Sequence, residues 1–318
     1  MSLKQNVLRL GRSAGLFGAA RRATAGHLRI LAYHGLWTTP GYQFGDCTFI
    51  APEQFEARMA RLKRSGLPIL PLGEAVERLE ADTLPEAAVA ITIDDGWVST
   101  YTHMLPVLEE LELPATLYAT TWYAGRALPV VNVAVQYLCA ASGRPDADAE
   151  TASAEIDALP VEDRLPALRL LGERLGVDEA WLESRQFNIM SAEEIGDAHR
   201  RGLDIQLHTH RHIDIGVDVA TLPQEIAENR AFLSAATGTE PVHFCYPSGT
   251  FHPDAPSHLA AGGVRSATLV TEGLNAPGAD PFTLRRLLDG RRVSDVEFDA
   301  YLAGALHFTA PIRSLLAA

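Results

Sequence analysis

The sequence predicts an α/β protein with a parallel core, and three observations predict it. Short β-branched and apolar runs alternate with stretches of helical spacing from Leu28 onward, the alternation expected of a parallel sheet covered by helices. Two of those runs stop abruptly in reactive side chains: Ala88–Ile93 at Asp94-Asp95-Gly96, and Leu203–Leu207 at His208, His210 and His212. Strand carboxyl ends are where α/β barrels and open α/β sheets carry their chemistry. Finally, 318 residues at 47% hydrophobic and 21% charged supply ample core for one large domain or two modest ones.

In chain order, Leu28–His34 reads as a buried strand ending in a histidine. Phe49–Gly66 follows as a helix, opened by Pro52-Glu53, with Phe55, Met59 and Leu62 at helical spacing and Gly66 closing it. Pro68–Pro71 reads as a short strand and Leu72–Leu79 as a helix, giving a βαβα order that leads to the Asp94-Asp95 strand. Thr102–Leu113 is then helical and Pro114–Ala119 a strand whose polar end, Thr120–Tyr123, is expected to line the same cleft. Over residues 125–188 the alternation fails. Val130–Ala141 and Pro160–Leu175 have helical spacing, with a polar, turn-like Ser142–Ser153 between them. This insertion, too small to bury a good core alone, either shapes access to the cleft or buttresses the core. Ser191-Ala192-Glu193-Glu194 is a capped helix start, and that helix runs to Gly202 and feeds the histidine strand. Thr221–Ala236 is a helix, Val242–Gly249 a strand and turn, Gly263–Val270 a late strand, and Phe298–Ala305 a surface-packing helix.

The formal charge of −13 argues against a nucleic-acid partner, since phosphate contacts need a basic face. Residues 1–29 depart from that balance: Lys4, Arg9, Arg12, Arg21, Arg22 and Arg29 face no acid, leaving −19 on the rest. The longest uncharged run there, Ser13–Ala20, is too short for a secretory core or a membrane span, so a cytoplasmic location is expected. A solvated or partly docked N-terminal helix is preferred over lipid contact, because the apolar face of this segment is small. Cys47, Cys139 and Cys245 are odd in number and widely spaced, which suggests neither a disulfide framework nor a cysteine metal site. Oligomeric state leaves no mark in the sequence.

Neutral imidazoles are the commonest protein ligands for zinc and similar ions. Two of them plus one carboxylate leave coordination positions open for water and substrate. His208, His212 and a carboxylate from Asp94-Asp95 therefore make a candidate metal site.

TIDDG followed by HTHRH resembles the polysaccharide deacetylases of carbohydrate esterase family 4, the NodB-homology domain. The resemblance implies an irregular (β/α) barrel with a helical insertion at 125–188, formed by a single catalytic domain over residues 28–318 behind a basic segment at 1–27. It also implies that Asp95, His208 and His212 bind a divalent ion, most simply Zn2+ with Co2+ or Ni2+ as alternatives, and that Asp94 is the general base. One branch of the family opens on a similar I-L-x-Y-H strand, which assigns the general acid to His34; His307 is the rival. FCYPSG is similar to the third family motif, whose turn supplies an oxyanion amide, here from Tyr246, Pro247 or Ser248. Many members carry an arginine in that motif to pair with the base, where this chain has Cys245. Arg285 or Arg286 could replace it, a guanidinium being the natural bidentate partner of a carboxylate that must stay ionised; Arg285 is the first choice. Gly263–Val270 with Gly273-Leu274-Asn275 also resembles the family's late strand, and nothing recognisable covers residue 304 to the end.

These assignments imply a metal-dependent hydrolase that removes N-acetyl groups from an amino-sugar polymer, oligosaccharide or precursor. The ion would activate water and polarise the amide carbonyl, and His34 would protonate the departing amine. Two rivals remain: hydrolysis of another linear or cyclic C–N amide at the same site, and a carbohydrate-binding relative without turnover.

Overall fold

Seven strands close into a barrel because each finds a parallel neighbour along both edges, with apolar side chains supplying most of the buried positions. The computed structural model describes residues 3–39, 48–143 and 148–308. In order, the elements are α1 (Leu3–Ser13), α2 (Leu16–Ala23), β1 (Arg29–Tyr33), α3 (Pro52–Arg64), α4 (Leu72–Glu80), β2 (Val89–Asp95), α5 (Leu105–Glu110) and β3 (Thr116–Ala119). The insertion contributes α6 (Val131–Ala141), α7 (Ala149–Asp157), α8 (Val161–Leu175) and α9 (Ala180–Glu183). The barrel then resumes with α10 (Ala192–Arg200), β4 (Asp204–Leu207), α11 (Leu222–Thr237), β5 (His243–Cys245), α12 (Ala255–Ala261), β6 (Ser266–Glu272), β7 (Leu284–Leu288) and α13 (Asp295–Leu302).

The strands follow one another round the barrel in sequence order, and β7 pairs with β1, Leu31 opposite Leu287, to close it. β2 lies between β1 and β3 with Ile93 opposite Tyr33, Asp94 opposite Tyr118 and Asp95 opposite Ala119, so both aspartates are held by the β3 ladder just past the end of the β1 pairing. Inside, Ile30, Ala90, Tyr118, Cys245 and Leu284 form an apolar cluster with Leu72, Ala75, Val76 and Leu79 of α4. The outer faces pack against the surrounding helices in a second, larger cluster.

Four local expectations are corrected. Pro68–Pro71 is not a barrel strand: it makes a single parallel bridge, Ile69 to Val89, since prolines at both ends cannot donate to a ladder. The helix expected over Thr102–Leu113 divides into a π-helical turn at Thr100–Met104 and α5, where Pro106 lacks the N–H that an α-helical bond at that point would use. Within Ser142–Ser153, α7 begins at Ala149 because the Asp148 side chain accepts the Thr151 N–H; residues 144–147 lie outside the described residues. The last helix is neither at the surface nor at 298–305. It starts at Ser294 with a capping box to Glu297 and buries Val296, Phe298, Ala300, Tyr301 and Leu302. The box expected at Ser191 forms with Glu194. Cys139 and Cys245 are buried free thiols, and Cys47 lies outside the described residues.

The far end of the insertion is tied to the strand-end loop of β2. Met190 N–H donates to Gly96 O at 2.8 Å, Val98 N–H to Asn188 O at 2.9 Å, and Trp97 bridges Ile189. The turn after β5 is equally fixed: a Cβ added to Gly249, at φ +68°, would lie 2.1 Å from Val270 Cγ2, whereas one added to Gly202, at φ +98°, meets open space. Gly202→Ala should therefore cost about 1–2 kcal/mol of backbone strain, and Gly249→Ala distinctly more in parallel urea titrations.

Candidate active site and metal centre

Asp94 and Asp95 are adjacent, yet the strand end sends their side chains to different partners. Asp94 points into the barrel, where Arg286 of β7 meets it bidentately, Nη1 to Oδ1 at 2.7 Å and Nη2 to Oδ2 at 2.7 Å. Both groups are fully buried. The guanidinium is otherwise satisfied by Leu269 O, Thr92 Oγ1 and Cys245 Sγ. Burial alone would raise the Asp94 carboxyl; Arg286 outweighs it and holds the group below its ordinary range. The partner is thus Arg286 and not Arg285, a correction that strand parity explains. Leu284 and Arg286 face inward, while Arg285 is exposed with its backbone N–H on Asn275 Oδ1. The vacancy left by Cys245 on β5 is filled from across the barrel.

Asp95 has left-handed backbone, φ +72°, immediately before Gly96 at φ +92°. This turn aims Asp95 at the loop after β4. His208 Nε2 lies 3.2 Å and His212 Nε2 3.5 Å from Asp95 Oδ1, and the three ligand atoms lie within 4.8 Å of one another. Burial opposes ionisation of Asp95, but contacts from both histidines hold its carboxyl well below the ordinary value. His208 is buried and His212 half open to solvent, so the cluster has a protein side and an open side. Thr209, His212 and Ser248 also have positive φ, placing four such non-glycine residues on the loops around one centre, where strain is characteristically stored.

The donor set fits a divalent ion on its own chemistry. His208 Nδ1 sits 2.8 Å from Cys245 O, which fixes the tautomer with hydrogen on Nδ1 and leaves Nε2 as a lone pair. That lone pair faces a carboxylate oxygen, and two acceptors face to face need a cation or a proton between them. Asp94, His208 and Cys245 also cluster. That set is unsuited, because Asp94 is committed to Arg286, Nδ1 to a carbonyl, and burial drives the Cys245 thiol well above its ordinary pKa.

His34 stands beside Asp94, Nε2 3.6 Å from Oδ2. Burial pushes its pKa down against the upward pull of Asp94 and Asp95. Its rival His307 packs edge-on against His27 and Phe308 instead. In the Tyr246–Ser248 turn, Tyr246 N–H donates to Thr268 O at 3.1 Å and Pro247 has none, which leaves Ser248 of the three. Thr120 and Thr121 line the neighbouring loop: Thr120 Oγ1 donates to His210 O, and the Thr121 hydroxyl lies 2.8 Å from His210 Nδ1.

Sequence reasoning missed three supporting residues. Trp97 Nε1 donates to Asp95 Oδ2 at 2.7 Å, engaging one oxygen and leaving the other for the histidines. Asn229 of α11 accepts the His208 N–H and donates to Ala119 O and Thr121 Oγ1, and buried Glu225 receives the Arg211 N–H. Trp97 directly follows the motif, so position alone could have flagged it. Asn229 and Glu225 lie on a helix with no local signal.

Together the fold and these residues define a cluster of aspartates and histidines at the carboxyl end of a NodB-type (β/α) barrel. The family model described as "Polysaccharide deacetylase" matches residues 81–267, and the chain belongs to that family. Similar solved structures include a deacetylase, PplD, from Streptococcus pyogenes in complex with acetate (16% identity, 88% of this chain and 99% of that one, TM-score 0.63). IcaB from Ammonifex degensii is similar at 20% identity, 87% and 97% coverage and TM-score 0.60. A de-N-acetylase from Aggregatibacter actinomycetemcomitans is similar at 15%, 86% and 99%, and 0.58. At these identities the likeness is one of fold. No curated protein matches the chain.

Two outcomes follow from the geometry. Arg286→Gln, which strands a buried carboxylate, should cost about 3–5 kcal/mol at neutral pH, whereas Arg285→Gln should stay within about 0.5 kcal/mol. Because the folded Asp94 pKa is depressed, the pair's contribution is complete above the ordinary carboxylate value and is lost as pH falls through the folded one. The gap between wild type and Arg286→Gln in denaturant titrations should therefore narrow in acid. Trp97→Phe should keep the fold but weaken divalent-ion affinity by about 10–100-fold, the usual effect of losing a group that orients a ligand, as read by chelator competition.

Proposed function

We propose that the chain is a metal-dependent N-deacetylase acting on an N-acetylated amino-sugar glycan. Asp95, His208 and His212 would hold the ion, and an ion there supplies a water of lowered pKa and polarises the amide carbonyl. Asp94, kept ionised by Arg286, takes the proton from the attacking water. A carboxylate in that role is useful only while charged, and its buried guanidinium partner keeps it so. Ser248 N–H is the amide assigned to the oxyanion.

Burial depresses the His34 pKa against the pull of Asp94 and Asp95, which favours the neutral ring. It becomes an acid by receiving the proton collected on Asp94, 3.6 Å away, and delivers it to the departing amine nitrogen. Acetate and a free amino sugar leave. The observation that carries this reading is the division of labour at the strand end, one aspartate on a guanidinium and its neighbour on two imidazoles, in a chain of this family.

The test is acetate release from N-acetylglucosamine oligomers by metal-reconstituted protein. Wild type should release acetate. Asp94→Asn should lose about two or more decades of rate while retaining its ion, and His208→Ala should lose both activity and ion. Metal binding without acetate release would direct the assay to formyl and cyclic amides and overturn the acyl assignment.

A further inference from the structure

Four of the strongly exposed large apolar side chains, Val7 (59%), Leu10 (72%), Leu16 (59%) and Phe308 (51%), lie on the N-terminal helices and the turn that packs against them. In α1, Val7, Leu10 and Gly11 share a helical face, and in α2 so do Leu16, Ala19, Ala20 and Ala23. α1 packs against α2 and α13, and α2 packs against the turn Ala305–Phe308. These contacts join the two short faces into one groove of about 410 Å³, lined by apolar residues including Leu8 and Phe17. The face that is small on either helix alone is thereby made continuous.

The same two helices carry cations. Arg9 and Arg22 are exposed. Lys4 and Arg12 reach Glu297 and Asp299, but the carboxylates are turned inward (10% and 19% exposed) while the cationic side chains are 44% and 50% exposed. Exposed ion pairs of this kind hold their cations weakly, so the ammonium and guanidinium groups remain available to an external anion. The rest of the chain carries a net −19, so this segment stands apart in charge from the bulk of the protein.

We infer that this hairpin is a docking surface for an anionic lipid bilayer, its apolar groove and Val7, Leu10 and Leu16 entering the headgroup boundary and its arginines meeting lipid phosphates. An apolar stripe flanked by Lys and Arg is the pattern of helices that lie in a membrane interface. No helix among the described residues is long and apolar enough to cross a membrane, so the mode is peripheral. A second copy of the chain is a poorer occupant: a two-fold interface would set this cation-rich segment against itself.

The experiment is co-sedimentation of the full chain with phosphatidylcholine vesicles, with and without one third phosphatidylglycerol. The comparison proteins are Val7→Ser/Leu10→Ser/Leu16→Ser and Arg9→Gln/Arg22→Gln, all surface changes remote from the candidate active site. The expected result is a bound fraction at least tenfold higher on anionic vesicles, lost in 0.5 M salt and in both variants, with circular dichroism unchanged. Absence of binding, or equal binding to both vesicles, overturns the proposal. So does a dimer abolished by the serine variant without vesicle binding, which assigns the groove to a second copy. Binding that appears only after removal of residues 309–318 overturns it too, assigning the groove to the chain's own end.

Discussion

Two neighbouring carboxylates at the end of a buried strand cannot both ionise unless their charges are taken up separately. This constraint organises the protein. Asp94 is neutralised by Arg286 across the barrel, and Asp95 is turned by a left-handed backbone toward His208 and His212. Barrel closure is what brings β7 within reach of β2, since the two strands are joined laterally only through β1. An open sheet in the same strand order would leave Asp94 buried beside its neighbour with no cation.

The same closure explains why Cys245 is compatible with an ionised Asp94. A small neutral thiol on β5 leaves room for the guanidinium from β7, accepts from it at 3.2 Å, and lets its own backbone carbonyl fix the His208 tautomer. One residue thus touches both halves of the centre, the Asp94 side through sulfur and the histidine side through oxygen. Around it, Trp97, Asn229 and Glu225 hold loops that carry positive-φ residues, the expected cost of placing clustered side chains on turns instead of strands.

Much of this was legible in the sequence. Apolar runs ending in Asp94-Asp95-Gly96 and in His208-x-His210-x-His212 gave the two loops that meet, because a strand fully buried on both faces has to carry its polar groups at its end. Capping chemistry at Ser191 was readable for the same reason: it is local. Pro68–Pro71 was misjudged because its prolines cannot donate to a ladder and leave a single bridge to Val89, and the start of α7 at Ala149 because the Asp148 cap on Thr151, though local, lies in a polar, turn-like stretch.

What the sequence determined by itself was therefore local and chemical: the strand–helix alternation, which side chains end the strands, and the excess of cations over residues 1–29. What only the tertiary structure decided was relational. Arg285 and Arg286 are identical in type and adjacent, on a strand with leucines on both faces, so periodicity carries no sign of which one points inward. The choice belongs to β7's register against β6 and β1. Likewise the two halves of the N-terminal apolar face lie on separate helices, and become one surface only when α1, α2 and the turn at Phe308 pack together.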